Sequence, residues 1–332
     1  MESKPKPRVL SGMRPTGALH LGHLTGAIDN WVRLQDTYDC YYSVVDYHAL
    51  TTDYEDPSNI RGNVIEVALD WLSAGIDPAK SCVFIQSLVP EHAELHLLLS
   101  MTTPVSWLER VPTYKDVQAN LSNRDLATYG FLGYPLLQTA DIIIYKANAV
   151  PVGEDQAPHI EISREIVRRF NNFYGPIFPE PQTLLTPTPR TPGTDGRKMS
   201  KSYNNAIQLK DTEADIRSKL KTMVTDPARQ RKTDKGDPAK CPAFDLHKAF
   251  STHETRDWAT AGCTSASIGC IECKAKLADH VVARLSPMRE KREELAARPD
   301  TVMDILKTGS VKAREVATTT MDEVHKAMKI AY

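Results

Sequence analysis

The first two thirds of the chain alternate short apolar runs with longer stretches whose apolar residues recur at helical spacing. The strand-like runs cover residues 8–11, 40–46 and 82–85. The helical patterns include residues 60–72 and 158–170. Buried strands that alternate with helices are typical of a parallel sheet with crossover connections. We therefore predict an α/β fold, a doubly wound and Rossmann-like parallel sheet, for residues 1–205.

The last third of the chain has a helical pattern with few strand signals, beginning near residue 211. Close to the C-terminus, one helix face carries Val316, Thr320, Val324 and Met328. This pattern predicts a second, α-helical domain over residues 206–332. Its last helix could pack back on the sheet domain.

Composition and charge indicate the general class of protein but no particular function. The chain has 332 residues, of which 41% are hydrophobic and 25% charged, and this suits two domains with ordinary cores. A formal net charge of −1 gives no bulk electrostatic sign of a nucleic-acid binder. Since no run reaches membrane-spanning length and residues 1–7 lack the apolar stretch of a signal peptide, we expect a cytoplasmic location and no membrane partner.

A first chemical motif, His20-Leu21-Gly22-His23, follows the first strand-like run and a turn rich in glycine and proline at residues 12–17. Apolar residues at helical spacing come next, so the motif is predicted at the first turn of a helix. Imidazoles there can donate hydrogen bonds to a phosphate, and Gly22 would let a flat base lie against the backbone. The alternative for this motif alone is a pair of histidines that cap a surface helix.

A second motif, Lys198-Met199-Ser200-Lys201-Ser202, follows a segment at residues 191–197 that is rich in glycine and proline. Such a segment suits a loop that closes over a substrate. Two ammonium groups on it could stabilise the charge that develops on a departing pyrophosphate. Taken alone, the motif also fits a solvated surface loop.

In this order and spacing, the two motifs resemble the two signatures of the class I aminoacyl-tRNA synthetases. Nearly the whole chain is similar to the tryptophanyl-tRNA synthetases of the bacterial type. The first signature departs from the usual form only at Leu21, where isoleucine is common, and the second matches in full. The resemblance implies that tryptophan is activated with ATP and Mg²⁺ to tryptophanyl-adenylate and then transferred to tRNA(Trp), by a homodimer.

The resemblance also implies which residues act on ATP. The catalytic residues would be His20, His23, Lys198 and Lys201. The ATP-binding set would be Arg14, Thr16, His20, Gly22, His23, Gly153, Asp155, Lys198, Met199, Ser200, Lys201 and Ser202. Arg14 is a departure, since some tryptophanyl enzymes have glutamine at this position.

Asp141 directs attention to the amino-acid pocket, because an acidic side chain in an apolar neighbourhood needs a hydrogen-bond donor. An indole N–H could supply that donor, whereas a helix N-cap or an ion pair is the structural alternative. By resemblance, the tryptophan-binding set would be Leu10, His48, Tyr134, Gln138, Asp141, Val152 and Gln156. Gln138 stands where several tryptophanyl enzymes have methionine. A tyrosyl enzyme is the alternative of the same fold, and the segment at residues 153–156 favours the tryptophanyl one.

Four of the six cysteines lie within one short window, at Cys241, Cys263, Cys270 and Cys273. Clustered thiols in a cytoplasmic chain indicate metal ligands rather than disulfides, and ligand count alone allows either zinc or an iron–sulfur cluster. A subset of tryptophanyl enzymes has a very similar pattern and binds a [4Fe-4S] cluster in the C-terminal domain, so the resemblance favours that cluster. The other two cysteines lie in strand-like runs and are predicted to be core thiols.

Basic side chains in the second domain are candidates for contacts with tRNA phosphates. They are Arg229, Arg231, Lys232, Lys235, Lys240, Lys312, Arg314, Lys326 and Lys329. The resemblance makes residues 206–332 the anticodon-binding domain. Two other function classes remain open at this point. These are a nucleotidylyltransferase of small metabolites and a non-catalytic, metal-bound RNA-binding protein.

Overall fold

A computed structural model describes residues 6–111, 127–185 and 191–332, without the side chains of residues 155 and 202. Its sheet has five parallel strands in the order β3-β2-β1-β4-β5. The strands are β1 (Arg8–Met13), β2 (Asp39–Val44), β3 (Ser81–Ile85), β4 (Ala149–Val152) and β5 (Gln182–Leu185). The predicted parallel α/β fold is confirmed.

Helices surround the sheet and form the whole C-terminal part of the described chain. In the first part they are α1 (Leu21–His23), α2 (Asp29–Leu34), α3 (Asp46–Asp53), α4 (Ile60–Ala74), α5 (Glu91–Ser100), α6 (Val105–Glu109), α7 (Tyr129–Leu132), α8 (Tyr134–Ile144) and α9 (Ala157–Tyr174). In the second part they are α10 (Glu213–Thr222), α11 (Pro242–Phe250), α12 (His253–Ser265), α13 (Cys270–Ala296) and α14 (Pro299–Met328). Among the described helices, none is long and apolar enough to span a membrane.

Both faces of the sheet are largely buried at β1, β2 and β3, which explains the consecutive apolar residues in these strands. Val9 and Tyr42 lie in one core cluster together with Trp71, while Leu10 and Tyr41 lie in the other. Neighbouring residues on a strand point to opposite faces, so an uninterrupted apolar run requires cover on both sides. The two core clusters form where helices pack on these two faces.

The C-terminal helices pack directly on the sheet domain. Leu277 and Val281 of α13 lie in the same core cluster as Trp71 of α4. Helix α14 packs along the edge strand β3, where a Cβ atom at Gly309 would overlap the carbonyl group of Val83. The last helix of the described chain therefore lies against the sheet. Because both parts share a core, the domain boundary near residue 205 stays a prediction.

Candidate active site

A crevice lies at the carboxyl end of the sheet, where ligands of open parallel sheets bind. It contains two adjoining cavities of about 610 and 700 Å³, and both are lined by Arg14 and Thr52. The Arg14 guanidinium donates a hydrogen bond to the Thr52 hydroxyl between them. The smaller cavity is also lined by Thr16, His20, His23, Ser200 and Lys201. The two sequence motifs, which are far apart along the chain, therefore meet in one place.

His20 and His23 are oriented by the backbone of their own turn. His20 Nδ1 accepts the N–H of Gly22 at 3.1 Å, and His23 Nδ1 accepts the N–H of His20 at 3.2 Å. Since both Nδ1 atoms accept, the proton of each neutral ring must be on Nε2. Each imidazole therefore has one remaining donor, and both rings line the smaller cavity.

The helix that follows these histidines differs from the predicted regular helix. After α1 the chain forms one π-helical segment, Leu24–Ile28, before α2 begins. Leu24 and Ile28 are fully buried, and a π-helical turn changes the direction in which the following side chains point. The apolar spacing of this segment is compatible with both helix types, so the sequence did not distinguish them.

Both imidazoles are neutral at pH 7. Burial, with a contribution from the charge of Lys201, lowers the pKa of His20 to about 4. Burial, followed by the charges of His20, Lys201 and Lys198, lowers the pKa of His23 to about 3. As placed here, the two rings therefore offer N–H donors for a phosphate and carry no charge of their own at pH 7.

We predict that replacing His23 with glutamine reduces the sensitivity of folding to acid. The pKa of His23 is about 3 in the folded chain and 6.5 as its ordinary value, so the unfolded chain takes up the proton first. The contribution of neutral His23 to the free energy of unfolding is thus fully present above pH 6.5 and is lost as the pH falls below that value. Urea unfolding should show that the variant loses about 1–2 kcal/mol less than the parent between pH 7.5 and 5. His253→Gln is the control, since His253 is exposed, and an equal loss in the parent and His23→Gln would contradict the prediction.

Gly22 lies directly against the His20 ring. A Cβ atom at this position would be 3.0 Å from His20 Cε1 and 3.1 Å from Nδ1. We predict that Gly22→Ala displaces the ring and lowers kcat/KM for ATP about 10-fold, with KM for tryptophan unchanged. Gly62→Ala is the matched control, because a Cβ atom there meets nothing within 4 Å. Equal effects of the two variants on ATP kinetics would refute the prediction.

Lys201 of the second motif is hydrogen-bonded to the turn that follows strand β1. Its ammonium donates hydrogen bonds to the carbonyl oxygens of Thr16 at 3.0 Å and Gly17 at 2.7 Å. Burial lowers the pKa of Lys201 to about 8, although the charge of Asp70 opposes the fall. The positions of the other members vary: Ser200 lines the smaller cavity, Lys198 is exposed, and Met199 is buried in the core.

Asn205 organises the second motif and was not identified from the sequence as a site residue. Its side chain accepts the N–H of Ser200 at 2.8 Å and donates to the Asp195 carboxylate at 2.7 Å and the Lys198 carbonyl at 3.2 Å. Gly193 packs so closely on this amide that any Cβ atom would overlap it. An asparagine that ends a loop is common, so the sequence carried no signal of this role.

The larger cavity gathers the residues that the resemblance assigned to tryptophan. It is lined by Leu10, His48, Tyr134, Gln138, Asp141, Val152 and Gln156. Apolar walls come from further residues, among them Phe131, Ile142 and Val150. Gly153, assigned to ATP, lines this cavity and not the smaller one. The side chains of Asp155 and Ser202 lie outside the described part of the chain.

Asp141 lies at the centre of a buried hydrogen-bond network. Its carboxylate accepts from His48 Nε2 at 3.0 Å, His92 Nδ1 at 2.6 Å and Gln86 Nε2 at 2.8 and 2.9 Å. His92 Nε2 is in turn 2.7 Å from the Tyr145 hydroxyl. Burial would raise the pKa of Asp141, but the charge of His92 and the hydrogen bonds from His48 and His92 lower it below its ordinary value. The carboxylate is therefore ionised.

This network corrects one step of the sequence argument. Asp141 is inside helix α8, so the N-cap alternative is wrong, whereas the ion-pair alternative is present. Donors of the chain itself already satisfy the buried carboxylate, so burial does not by itself require a ligand. Gln86 and His92 were missed because the sequence gives no sign of which polar groups meet across 55 and 49 residues.

The four clustered cysteines come from three neighbouring helix ends. Cys241 immediately precedes α11, Cys263 is in the last turn of α12, and Cys270 and Cys273 are in the first turn of α13. Burial raises the pKa of Cys273 to about 12, and the charges of the other three cysteines add to the rise. In the described residues, no three or more histidine, cysteine or acidic side chains are arranged so that they could hold a metal ion, and this includes the four cysteines.

Two of the basic candidates for tRNA contact prove to be engaged within the protein. Arg229 is buried and donates to Cys263 Sγ at 3.7 Å and to the carbonyl oxygen of Ile268 at 2.6 Å. Arg314 pairs with Glu91 at 2.8 Å. The assignment of Arg229 to tRNA phosphates is therefore wrong, because its side chain is enclosed by the acceptors that surround it.

Comparison with known proteins fits this geometry. Residues 2–286 match the family described as tRNA synthetases class I (W and Y). The chain therefore belongs to the class I tRNA synthetases of the tryptophan and tyrosine type. The tryptophan–tRNA ligase of Thermotoga maritima is 51% identical over 98% of this chain and 100% of its own length. That of Ralstonia nicotianae is 46% identical over 98% of this chain and 99% of its own length. Within its class, the chain belongs to the tryptophan–tRNA ligases.

Solved structures agree with this placement. Tryptophanyl-tRNA synthetase from Campylobacter jejuni, complexed with ADP and tryptophan, matches with a TM-score of 0.88 at 35% identity, covering 97% of this chain and 99% of that one. Tyrosyl-tRNA synthetase from Archaeoglobus fulgidus, complexed with L-tyrosine, is 20% identical with a TM-score of 0.67, covering 88% of this chain and 91% of that one. At that identity the second likeness shows a shared fold alone.

Proposed function

We propose that tryptophan activation takes place in the two adjoining cavities at the carboxyl end of the sheet. The observation that carries this proposal is that the cavity lined by both motifs adjoins the one lined by Asp141, with Arg14 and Thr52 between them. A nucleotide in the smaller cavity and an amino acid in the larger one would meet at that boundary. The reaction needs this arrangement, because two substrates must be held within contact distance of each other.

In the proposed reaction, a carboxylate oxygen of tryptophan attacks the α-phosphate of ATP. The bond between that phosphate and pyrophosphate breaks, and pyrophosphate leaves. The adenylate then passes its tryptophanyl group to a terminal ribose hydroxyl of tRNA(Trp), with release of AMP and the hydroxyl proton. ATP enters with Mg²⁺ on its phosphates. No covalent bond to the protein is needed, so the side chains act by positioning and by electrostatic stabilisation.

Each of these side chains has a proposed role that fits its contacts in the structure. The Nε2–H groups of His20 and His23 would donate hydrogen bonds to the phosphate that is attacked, and Gly22 would lie against adenine. Lys201, with Lys198, would neutralise the departing pyrophosphate. Lys201 reaches the cavity already, while Lys198 is exposed and would have to move inward. The ionised Asp141 would accept the indole N–H, and Tyr134 and Gln156 would hold the amino group.

The test is amino-acid-dependent exchange of ATP and pyrophosphate, measured on anaerobically purified protein with each amino acid separately. Exchange with tryptophan alone is the expected result. Exchange with tyrosine alone would move the specificity to the tyrosyl enzyme. Absence of exchange with every amino acid would overturn the proposed role of the crevice.

The four clustered cysteines are proposed to hold a metal centre, a [4Fe-4S] cluster in preference to zinc. The donor set supports this, since four thiols from three helix ends lie near one another and Cys270 and Cys273 are one turn apart. When bound, the cluster would tie these helix ends together and so stabilise the region that we assign to the anticodon. The cysteine side chains would have to rearrange, because their present placement is not that of a metal site.

We predict that anaerobically purified protein contains about four iron and four sulfide ions per chain. Cys270→Ser should lose most of the iron, whereas Cys82→Ser, outside the group, should keep it. About one zinc per chain without iron would favour the zinc alternative. Protein that lacks both metals under these conditions would contradict a metal centre.

A homodimer is also proposed, and an apolar surface supports it. The exposed side chains of Met101, Val105 and Phe173 lie near one another, since Arg169 packs over Phe173 and donates to the carbonyl oxygen of Thr102. Exposed apolar groups of this kind mark association surfaces. Sedimentation should give twice the chain mass of 37.0 kDa, and Met101→Glu should shift it towards a single chain. A monomeric parent protein would exclude the dimer.

A further inference from the structure

A buried ion pair connects the C-terminal helices to the histidine motif. Asp70, in α4, is completely buried. Its Oδ1 accepts a hydrogen bond from Arg292 Nε at 2.7 Å, and its Oδ2 accepts the backbone N–H of Leu19 at 2.8 Å. Arg292 belongs to α13, and its side chain is only 12% exposed. One carboxylate therefore joins α13 to the residue immediately before His20.

The turn that Asp70 contacts is held on its other side by residues 207–209. The carbonyl oxygen of Leu19 accepts the N–H of Leu209, and the N–H of Leu21 donates to the carbonyl oxygen of Ile207. Residues 207–209 begin five residues after the end of the second motif. On the opposite side of the turn, the N–H of Leu19 donates its hydrogen bond to Asp70 in the described part of the chain. Movement of Asp70 would thus move His20.

Arg292 in turn fixes Asp70. A buried carboxylate is costly unless it is paired, and removing one partner leaves an uncompensated charge. Arg292 also donates from Nη2 to Glu66 at 2.9 Å, and Glu66 accepts from Lys210 at the same distance. Because the guanidinium bridges two carboxylates on successive turns of α4, its fork sets the position of both.

We propose that Asp70 and Arg292 are positioning residues for ATP, through which helix α13 holds the Leu19–His20 turn in the geometry that phosphate binding requires. This inference rests on the proposed role of His20 in ATP binding. Neither side chain lines the two cavities. Their effect on the reaction would therefore be transmitted by the backbone of the turn and, for Asp70, also by its charge, which acts on Lys201. The tryptophan cavity is not part of this connection.

The experiment compares two arginines on the same helix. Arg284 of α13 also forms an ion pair with the sheet domain, to Asp29 at 2.7 Å, but that pair does not contact the histidine turn. In Arg292→Met we expect kcat/KM for ATP in tryptophan-dependent exchange to fall about 10- to 100-fold. The Kd for tryptophan, from fluorescence titration, should stay within about twofold of the parent value. Arg284→Met should leave both quantities unchanged.

Two further variants keep the test decisive if Arg292→Met does not fold. Arg292→Lys, which retains one charged donor, should recover part of the ATP kinetics, and Asp70→Asn should weaken ATP kinetics without affecting tryptophan binding. Equal losses for ATP and tryptophan, or a similar loss in Arg284→Met, would overturn the inference and indicate a general structural role. A parent protein without exchange activity would instead refute the proposed function itself.

Discussion

Replacing Asp141 with asparagine is expected to raise the KM for tryptophan more than any other kinetic constant of tryptophan activation. The carboxylate accepts four hydrogen bonds from its own chain, and the indole N–H would add a further one. An amide in the same place points an NH₂ group at donors that are buried with it. A charge-assisted hydrogen bond is worth about 1.5–3 kcal/mol, so KM for tryptophan should rise about 10- to 150-fold.

The control for this variant is Asp39→Asn, because Asp39 forms an ion pair at the surface and lies outside both cavities. Thermal unfolding of both variants separates a loss of binding from a loss of folding. KM for ATP should change by less than about threefold in Asp141→Asn. A folded variant with an unchanged KM for tryptophan would show that Asp141 does not contact the substrate.

Much of the fold was predictable because burial leaves a regular pattern in the sequence. The strands are apolar on both faces, as Tyr41 and Tyr42 illustrate, and only a parallel sheet covered on both sides explains such runs. Helix α4, predicted over residues 60–72, runs to Ala74, and Gly75 ends it with a positive φ of 113° that favours glycine. These signals depend on neighbours in the chain, so a single sequence contains them.

The parts that could not be predicted depend on contacts between distant residues. Periodicity tells which face of a helix is buried but not which polar groups meet there, so Gln86 and His92 were missed as partners of Asp141. Arg229 was named as a candidate for tRNA contact because it lies among basic residues in the sequence, yet acceptors from Ile268 and Cys263 surround it. In both cases the tertiary arrangement of donors and acceptors decides the role.

The neutral state of the histidines determines where positive charge must come from. Because the pKa values of His20 and His23 are about 4 and 3, these rings contribute hydrogen bonds but no charge at pH 7. Neutral imidazoles fit beside two lysines without repulsion, and Lys201 in particular lowers the pKa of both rings. The charge that stabilises pyrophosphate in the smaller cavity would therefore come from the lysines of the second motif.

Replacing Lys201 with methionine is accordingly expected to lower kcat of tryptophan-dependent exchange at least about 100-fold, because a preorganised charge at the departing group is lost. The Kd for tryptophan should not change. In the parent protein the pKa of Lys201 is lowered to about 8, so the ammonium is present below that pH and is lost as pH rises through it. We thus expect kcat/KM for ATP to decline above about pH 8.

Lys201→Arg separates this explanation from other causes of an alkaline decline. A guanidinium remains protonated throughout this range, so the variant should retain part of the activity while its decline moves to higher pH. Lys248→Met is the matched control, since Lys248 pairs with Asp245 on α11, away from the crevice. An unchanged alkaline decline in Lys201→Arg would mean that another group titrates, and an active Lys201→Met would remove Lys201 from the proposed mechanism.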